Sequence, residues 1–357
     1  MIDVPTTMRA VVLTGHGGFD RLEYRTDVPV PRPAAGEVLV KVSACGLNNT
    51  DINTRIGWYA SDARETGAGG WSDGLRFPRI QGADVCGTVV GHGPEEGTGT
   101  AGHPMGRRVL IDPWVLDPDD PLDLRRARYF GSELDGGFAE YCVAPAANVH
   151  VVDSPLSDAE LATFACSSVT AENLMTKGGV DVGDVVAVTG ASGGVGTAAV
   201  QLARARGAHV IAIASVSKAD SLRGWGADQV VDRSDPALGD AVRSASPAGA
   251  IDVLVDVVGG SMFEQLIPTL RPGGRYVTSG AIAGAIVEFD LRLLIYGDLR
   301  FEGATVCPPG TFARMVGHIE SGVLRPVLAA RYPLEKLVEA QQAFLEKRHV
   351  GNIVVEM

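Results

Sequence analysis

Cationic charge, paired cysteines and long apolar runs are what this chain has least of. Its 31 Lys and Arg are outnumbered by 43 Asp and Glu, giving a formal net charge of −12. That balance argues against nucleic acid or an anionic membrane surface as the main partner, because phosphate binding needs a dense basic face. An anionic small molecule stays possible, since backbone amides bind it even against an acidic background. The five cysteines (Cys45, Cys86, Cys142, Cys166, Cys307) are scattered and form no C-x-x-C pair. This is neither a disulfide framework nor a metal knuckle. The seven histidines fall in no ligand-like spacing. No apolar run approaches the roughly 18–20 residues of a membrane helix. The opening MIDVPTTMRA has neither the basic nor the apolar region of a signal peptide. The expectation is a cytoplasmic protein acting on a small molecule, without nucleic acid or membrane as partner.

The 357 residues are enough for two domains with a core each. Glycine (45) and proline (20) are frequent but show no period, so they read as turns, not disorder. Up to about Val152 the text alternates short β-like segments (9–13, 37–42, 84–90) with Gly/Pro punctuation. Two stretches, 61–74 and 112–135, break the rhythm and read as long loops, which in compact domains tend to be functional. Near Asp158 the style changes. Residues 160–176 have helical spacing, and strands at 185–188, 209–215, 229–232, 251–258 and 275–279 then alternate with helices of about 8–12 residues. Residues 299–306 offer a sixth strand. The tail carries helical segments at 311–321 and 334–346 and a final strand at 352–356. Such alternation implies α/β architecture with a doubly wound parallel sheet.

The strongest motif is Gly190-Ala191-Ser192-Gly193-Gly194-Val195-Gly196, which follows the apolar strand 185–188 and opens an apolar helix. In this context the A-x-G-x-x-G spacing from Ala191 through Gly193 to Gly196 is a dinucleotide fingerprint. Glycine lets the backbone approach a pyrophosphate, and the free amides of a helix N-terminus supply the positive field. The next strand ends in Ser215-Val216-Ser217-Lys218, without the Asp or Glu that binds a ribose 2′-hydroxyl in NAD sites. Hydroxyls and a lysine suit a 2′-phosphate, which favours NADP(H). The bland alternative makes Lys218 a solvated residue opening the next helix. Chain position adds Val257 and Val258 at the end of a later strand.

Taken with Met8–Val12, PAAGEVLVKV (33–42), FPRIQGADVCG (77–87), GGFAEY (136–141), LRPGGRYVTSG and HVGNIVVE, the chain resembles the medium-chain dehydrogenases/reductases over nearly its whole length. The resemblance implies a GroES-like β-rich catalytic domain (1–157 and 307–357), a Rossmann domain (158–306) and a homodimer. It also puts Gly280, Ala281 and Ile282 beside the nicotinamide, and the Thr305-Val306 backbone at its carboxamide. Zinc members of the superfamily hold a catalytic metal with a Cys, a His and a later Cys. Here Asn48 and Ala83 stand at the first two positions and only Cys166 matches the third; 112–135 also lacks the four cysteines of a structural zinc lobe. No metal is therefore expected. The segment Gly46-Leu47-Asn48-x-x-Asp51 is instead similar to that of the zinc-free quinone oxidoreductases, continuing through Arg55, Gly57 and Tyr59 and departing at Asn53.

Without a Lewis acid, alkoxide stabilisation is lost. Reduction of a conjugated C=C bond or a quinone asks less, because an enolate or hydroquinone anion needs only hydrogen-bond donors. Asn48 and Tyr59 are the candidate donors, and Tyr59 is also a candidate proton source. Their plain alternatives are a turn residue and a half-buried aromatic. Asp51 is expected to orient its neighbours, Arg55 to pair with an acid, and Cys166 to be a small core residue. Asn53, Trp58 and Trp71 are placed on the substrate side, with 61–74 as a lid. The leading expectation is an NADPH-dependent enone, enoyl or quinone reductase. A zinc-free alcohol or aldehyde dehydrogenase, a specialised biosynthetic reductase and a non-catalytic NADPH-binding protein remain as alternatives.

Overall fold

The structure is a computed structural model that describes residues 4–60, 75–94, 105–123 and 126–357. The expected lid at 61–74, with Trp71, lies outside the described residues. The chain forms two compact units: Met1–Cys166, Pro308–Glu320 and Pro326–Met357 in one, Ser167–Cys307 and Ser321–Arg325 in the other.

The first unit is built on β-strands. Glu37–Gly46 is its central strand, pairing antiparallel with Asp84–His92, Tyr141–Pro145 and Asn352–Glu356. The sheet extends through Arg108–Ile111 to Val149–Val151 on one side, and to Leu328–Pro333 on the other. That last strand was not read from sequence; its LAARYP alternates half-buried and exposed residues and presents no apolar run. Val38, Val40, Val42, Val85, Val89 and Phe138 fill the core with almost no exposure. Each fully buried valine or larger apolar side chain stabilises by about 1.5–3 kcal/mol.

The second unit holds six strands in the order Gln229–Asp232, His209–Ala214, Val185–Val188, Ile251–Asp256, Leu270–Thr278, Arg300–Gly303. Every neighbouring pair is parallel. Numbered along the chain this is 3-2-1-4-5-6, the order of dinucleotide-binding sheets. The central strands Val185–Val188 and His209–Ala214 are almost wholly apolar and buried, as strands covered on both faces are, whereas Arg300–Gly303 at the sheet edge is exposed.

Two expectations change. The helix at 160–176 is two helices, Asp158–Leu161 and Ala165–Lys177. The Thr163 hydroxyl donates to the Glu160 carbonyl at 2.7 Å, satisfying the end of the first helix, and the next helix begins after three intervening residues. The stretch at 112–135 is not all loop: Trp114–Val115 pairs with Arg128–Tyr129, with the two aromatic rings edge to face at 4.8 Å. By compactness the first unit runs to Cys166, where the Asp84 carboxylate accepts a hydrogen bond from the Cys166 amide. Among the described residues no helix is long and apolar enough to cross a membrane.

Candidate functional site: a glycine cradle and a buried asparagine–aspartate pair

In the second unit the glycine loop bridges the strand Val185–Val188 and the helix Gly194–Ala205, whose N-cap is Gly193. Gly190 has φ +57°, a left-handed conformation that favours glycine. At Gly196 a Cβ would lie 2.2 Å from the Gly190 carbonyl oxygen and 2.5 Å from the Ala191 Cα, so the helix start packs against the loop only without a side chain. At Gly193 the nearest atom to such a Cβ is 3.5 Å away. The cradle is therefore closed behind by Gly196 and open at Gly193, the arrangement a pyrophosphate requires.

The loop is braced by a residue the sequence reading gave no role. Asp256 is 2% exposed. Its carboxylate accepts from the Thr189 hydroxyl at 2.5 Å, the Val258 amide at 2.9 Å and the Tyr276 hydroxyl at 3.0 Å. The Val257 amide donates to Thr189 Oγ1 at 3.0 Å. Asp256 thus shapes the turn carrying Val257 and Val258, which also holds residues 281–284: the Ala283 amide donates to the Val258 carbonyl at 2.9 Å and the Gly260 amide to that of Gly284 at 3.0 Å. Gly280 and Ala281 are half-buried there, and Ile282 is exposed. Thr305 is exposed just past the sixth strand, and the Val306 carbonyl accepts from Asn173 Nδ2 at 3.2 Å.

At the end of the second strand no carboxylate follows Ala214. Lys218 Nζ donates to Ser192 Oγ at 3.3 Å, and Ser215 Oγ lies 3.0 Å from Ser217 Oγ. The four side chains form one polar edge beside the glycine loop. Lys218 is pulled below its ordinary pKa by burial and then by the positive charge of Arg233. Arg233 was missed; it follows the third strand, and its amide is held by the Ala214 carbonyl at 2.9 Å. The neighbouring Asp232 carboxylate is turned onto Ser234, 2.8 Å from its hydroxyl.

In the first unit Asn48 stands at the N-cap of the helix Asn49–Ile56. The Asp51 carboxylate accepts its amide N–H at 2.7 Å, so Asp51 fixes the helix start. The Asn48 side chain points elsewhere: Nδ2 donates to Asp84 Oδ2 at 2.8 Å. The other Asp84 oxygen accepts from the Cys166 amide, and the Tyr129 hydroxyl donates to Cys166 Sγ at 3.0 Å. Gly46 makes room, since a Cβ there would lie 2.3 Å from the Ala162 carbonyl oxygen and 2.9 Å from Asp84 Oδ2. Burial pushes the carboxyls of Asp84 and Asp51 up to about 7, against the pull of their hydrogen bonds. The reading from sequence passed over Asp84 and Tyr129. The available signal was an acid placed directly before the apolar run of a buried strand.

Tyr59 is half-buried; Asn53 Nδ2 donates to its hydroxyl at 3.4 Å, and burial raises its pKa. Trp58 is exposed and meets the Tyr59 ring edge to face at 5.3 Å. Among the described residues Arg55 forms no ion pair with an acid. Its buried guanidinium donates to Gln341 Oε1 at 3.1 Å and to the Gly17 carbonyl at 2.9 Å, and lies 4.3 Å over the Phe19 ring. It is a structural anchor for the helix. Among the described residues no three His, Cys, Asp or Glu side chains are grouped to hold a metal ion.

Comparison with known proteins agrees with both halves. Residues 34–154 match the family model of the alcohol dehydrogenase GroES-like domain, and 194–321 that of the zinc-binding dehydrogenases. A crystal structure from Sinorhizobium meliloti, assigned provisionally as an alcohol dehydrogenase, is 46% identical and superposes with a TM-score of 0.92, over 99% of this chain and 97% of that one. An NAD-dependent alcohol dehydrogenase of Sulfurisphaera tokodaii is 26% identical over 98% of this chain and 99% of its own. Human quinone oxidoreductase is 27% identical over 94% and 93%. With its GroES-like unit, its 3-2-1-4-5-6 parallel sheet and its glycine cradle, this chain belongs to the medium-chain dehydrogenase/reductase superfamily of nicotinamide-dependent oxidoreductases.

Proposed function

We propose that the protein is an NADPH-dependent reductase that works without zinc and delivers hydride to an electron-poor C=C bond or a quinone. The observation that carries this is the Asn48–Asp84 hydrogen bond where zinc members of the superfamily have metal ligands. A zinc site needs three protein donors; Asn48, Ala83 and Cys166 offer one thiolate, so the donor set does not fit the metal. The cofactor set does fit. Gly193 and the first-turn amides of Gly194–Ala205 would hold the pyrophosphate, and Ser215, Ser217, Lys218 and Arg233 the 2′-phosphate.

When bound, NADPH supplies the hydride. The chain's own part is to hold the negative charge left on the substrate oxygen. Asn48 has a second Nδ2 hydrogen beyond the one given to Asp84, and its orientation is fixed by that bond. A preoriented donor of this kind lowers the barrier by about 3–4 kcal/mol in oxyanion sites. Tyr59, with its proton held by burial, is the candidate acid for the product. Asp51 holds the Asn48 backbone and needs no chemical role.

The NAD-dependent alcohol dehydrogenase among the relatives supports a second reading, oxidation of an alcohol or reduction of an aldehyde. The two separate on substrate panels. With NADPH the enzyme is expected to turn over enones, enoyl thioesters or quinones, and to leave simple aldehydes and alcohols untouched. Asn48→Ala should lower kcat by roughly 100–1,000-fold with NADPH affinity unchanged. Turnover confined to alcohols and aldehydes would overturn the assignment.

A further inference from the structure

The segment that leaves the sixth strand of the parallel sheet is held along one face of a helix. Val169, Asn173 and Lys177 of the helix Ala165–Lys177 are spaced four apart and so share a face. Cys307 Sγ donates to the Val169 carbonyl at 3.8 Å, Asn173 Nδ2 to the Val306 carbonyl at 3.2 Å, and Lys177 Nζ to the Gly303 carbonyl at 2.9 Å. The Ala304 amide is fixed to the sheet by the Thr278 carbonyl at 2.8 Å. The path of 303–307 is thereby set from both sides.

Two polar groups here lack partners among the described residues. Val306 is only 8% exposed, yet its amide N–H meets no acceptor. An orphaned buried N–H is rare in folded proteins. Asn173 is fully buried, and its Oδ1 accepts no hydrogen bond. The side chain therefore makes a single bond, the one to Val306. An apolar residue would pack beside the buried Val169 and Leu174 without an unpaired carbonyl. Burying Asn173 costs stability, and what it secures is the hold on Val306.

The sheet gives the free N–H a destination. The glycine cradle and the polar edge of Ser192, Ser215, Ser217 and Lys218 stand at the carboxyl ends of the first two strands. That side takes the adenosine half of a dinucleotide. Because all six strands are parallel, 304–307 emerges at the same edge but on the other half of the sheet, where the nicotinamide half has to lie. The ring carries a carboxamide, whose oxygen accepts hydrogen bonds.

We propose that Asn173 is a positioning residue for the cofactor: by gripping the Val306 carbonyl it fixes Val306 with its amide N–H free to donate to the nicotinamide carboxamide oxygen. This role rests on dinucleotide binding at the glycine cradle and is independent of the substrate. Calorimetric titration of the full chain with NADPH and with 2′-phospho-ADP-ribose, which has the pyrophosphate and 2′-phosphate but no nicotinamide, tests it. Asn173→Ala is expected to bind NADPH about three- to tenfold more weakly and 2′-phospho-ADP-ribose as the wild type does. Asn173→Asp, which keeps the shape but turns an oxygen toward the Val306 carbonyl, should do the same. General damage to the unit would weaken both ligands alike. Hydrogen exchange of the wild-type 304–307 amides needs no substitution: it should slow with NADPH and not with 2′-phospho-ADP-ribose. Equal losses for the two ligands, unchanged NADPH affinity in the variants, or exchange at 304–307 indifferent to the nicotinamide overturns the proposal. Should NADH be the preferred cofactor, the same comparison runs with NADH and ADP-ribose, so loss of the 2′-phosphate assignment leaves this one standing. A wild type that binds neither NADPH nor NADH would remove the cofactor reading and this role with it.

Discussion

The side-chain amide of Asn48 donates to the fully buried carboxylate of Asp84 at 2.8 Å, and Asp51 holds the backbone amide of the same asparagine at 2.7 Å. One residue is thus gripped by two acids, one at its side chain and one at its main chain. Both acids have pKa values raised to about 7 by burial. The asparagine has little freedom to move toward a metal ion.

Purified protein is accordingly expected to contain well under one zinc per chain and to keep its activity in chelator. Replacing Asn48→Cys and Ala83→His together would supply, with Cys166, the two sulfur and one nitrogen donors of a catalytic zinc set. That double variant should acquire zinc where the wild type does not. Stoichiometric zinc in the wild type, lost together with activity, is the contrary result.

The two glycines of the cradle should fail differently. Gly196→Ala forces a Cβ to within 2.5 Å of two backbone atoms and is expected to destabilise the fold by roughly 1–3 kcal/mol. Gly193→Ala has room and should melt near the wild-type temperature, while binding NADPH more weakly. Thermal scans with and without cofactor separate the two. Equal behaviour of the pair would show that the open side of the loop is not where phosphate approaches.

Lys218→Ala removes the cation that lies 3.3 Å from Ser192. A charge-assisted hydrogen bond of this kind contributes about 1.5–3 kcal/mol. NADPH should therefore bind roughly 10–150-fold more weakly, with NADH affinity nearly unchanged. Titration of both cofactors against wild type and variant reads this directly, and equal losses for the two would remove Lys218 from 2′-phosphate recognition.

Asp112, away from the site, offers a clean test of pH-dependent stability. Burial raises its pKa to about 7, despite a 3.0 Å bond from the Trp114 amide. The unfolded value is about 3.9. Between these limits the native state holds a proton that the unfolded chain has lost. Its contribution to stability is therefore full below about pH 4 and lost as the pH rises to about 7. Asp112→Asn should flatten the fall of the urea midpoint over that window, by up to about 1.4 kcal/mol per pH unit. An unchanged slope would mean that Asp112 is ionised throughout.

Sequence made the Rossmann half readable because its signals are local. Val185–Val188, the glycines and the helix after them lie in one unbroken stretch, and each constrains the next. The other half depends on contacts across the fold. Asn48 meets Asp84 from 36 residues away, and Tyr129 meets Cys166 from 37. No spacing rule connects them. Arg55 shows the limit from the other side: a buried arginine suggests an acid, yet its partners are a glutamine 286 residues on and a carbonyl. Asp256 escaped notice because a carboxylate that closes a turn looks, in the linear text, like any acid ending a strand.

The five residues Ser321–Arg325 belong to the Rossmann unit although the chain on both sides of them belongs to the other. Arg325 exchanges hydrogen bonds with Gln201 of the glycine-loop helix, its amide donating at 2.9 Å, and stacks its guanidinium 4.8 Å over Trp225. The polypeptide therefore passes between units four times, and neither unit is a single uninterrupted length of chain. Excising 167–307 would strip that helix of its distant clasp, while the remainder would be left in two pieces, one of them still carrying Ser321–Arg325. Gene fusion or recombination that moved one half without the other would need four cuts, which favours inheritance of the pair as a whole.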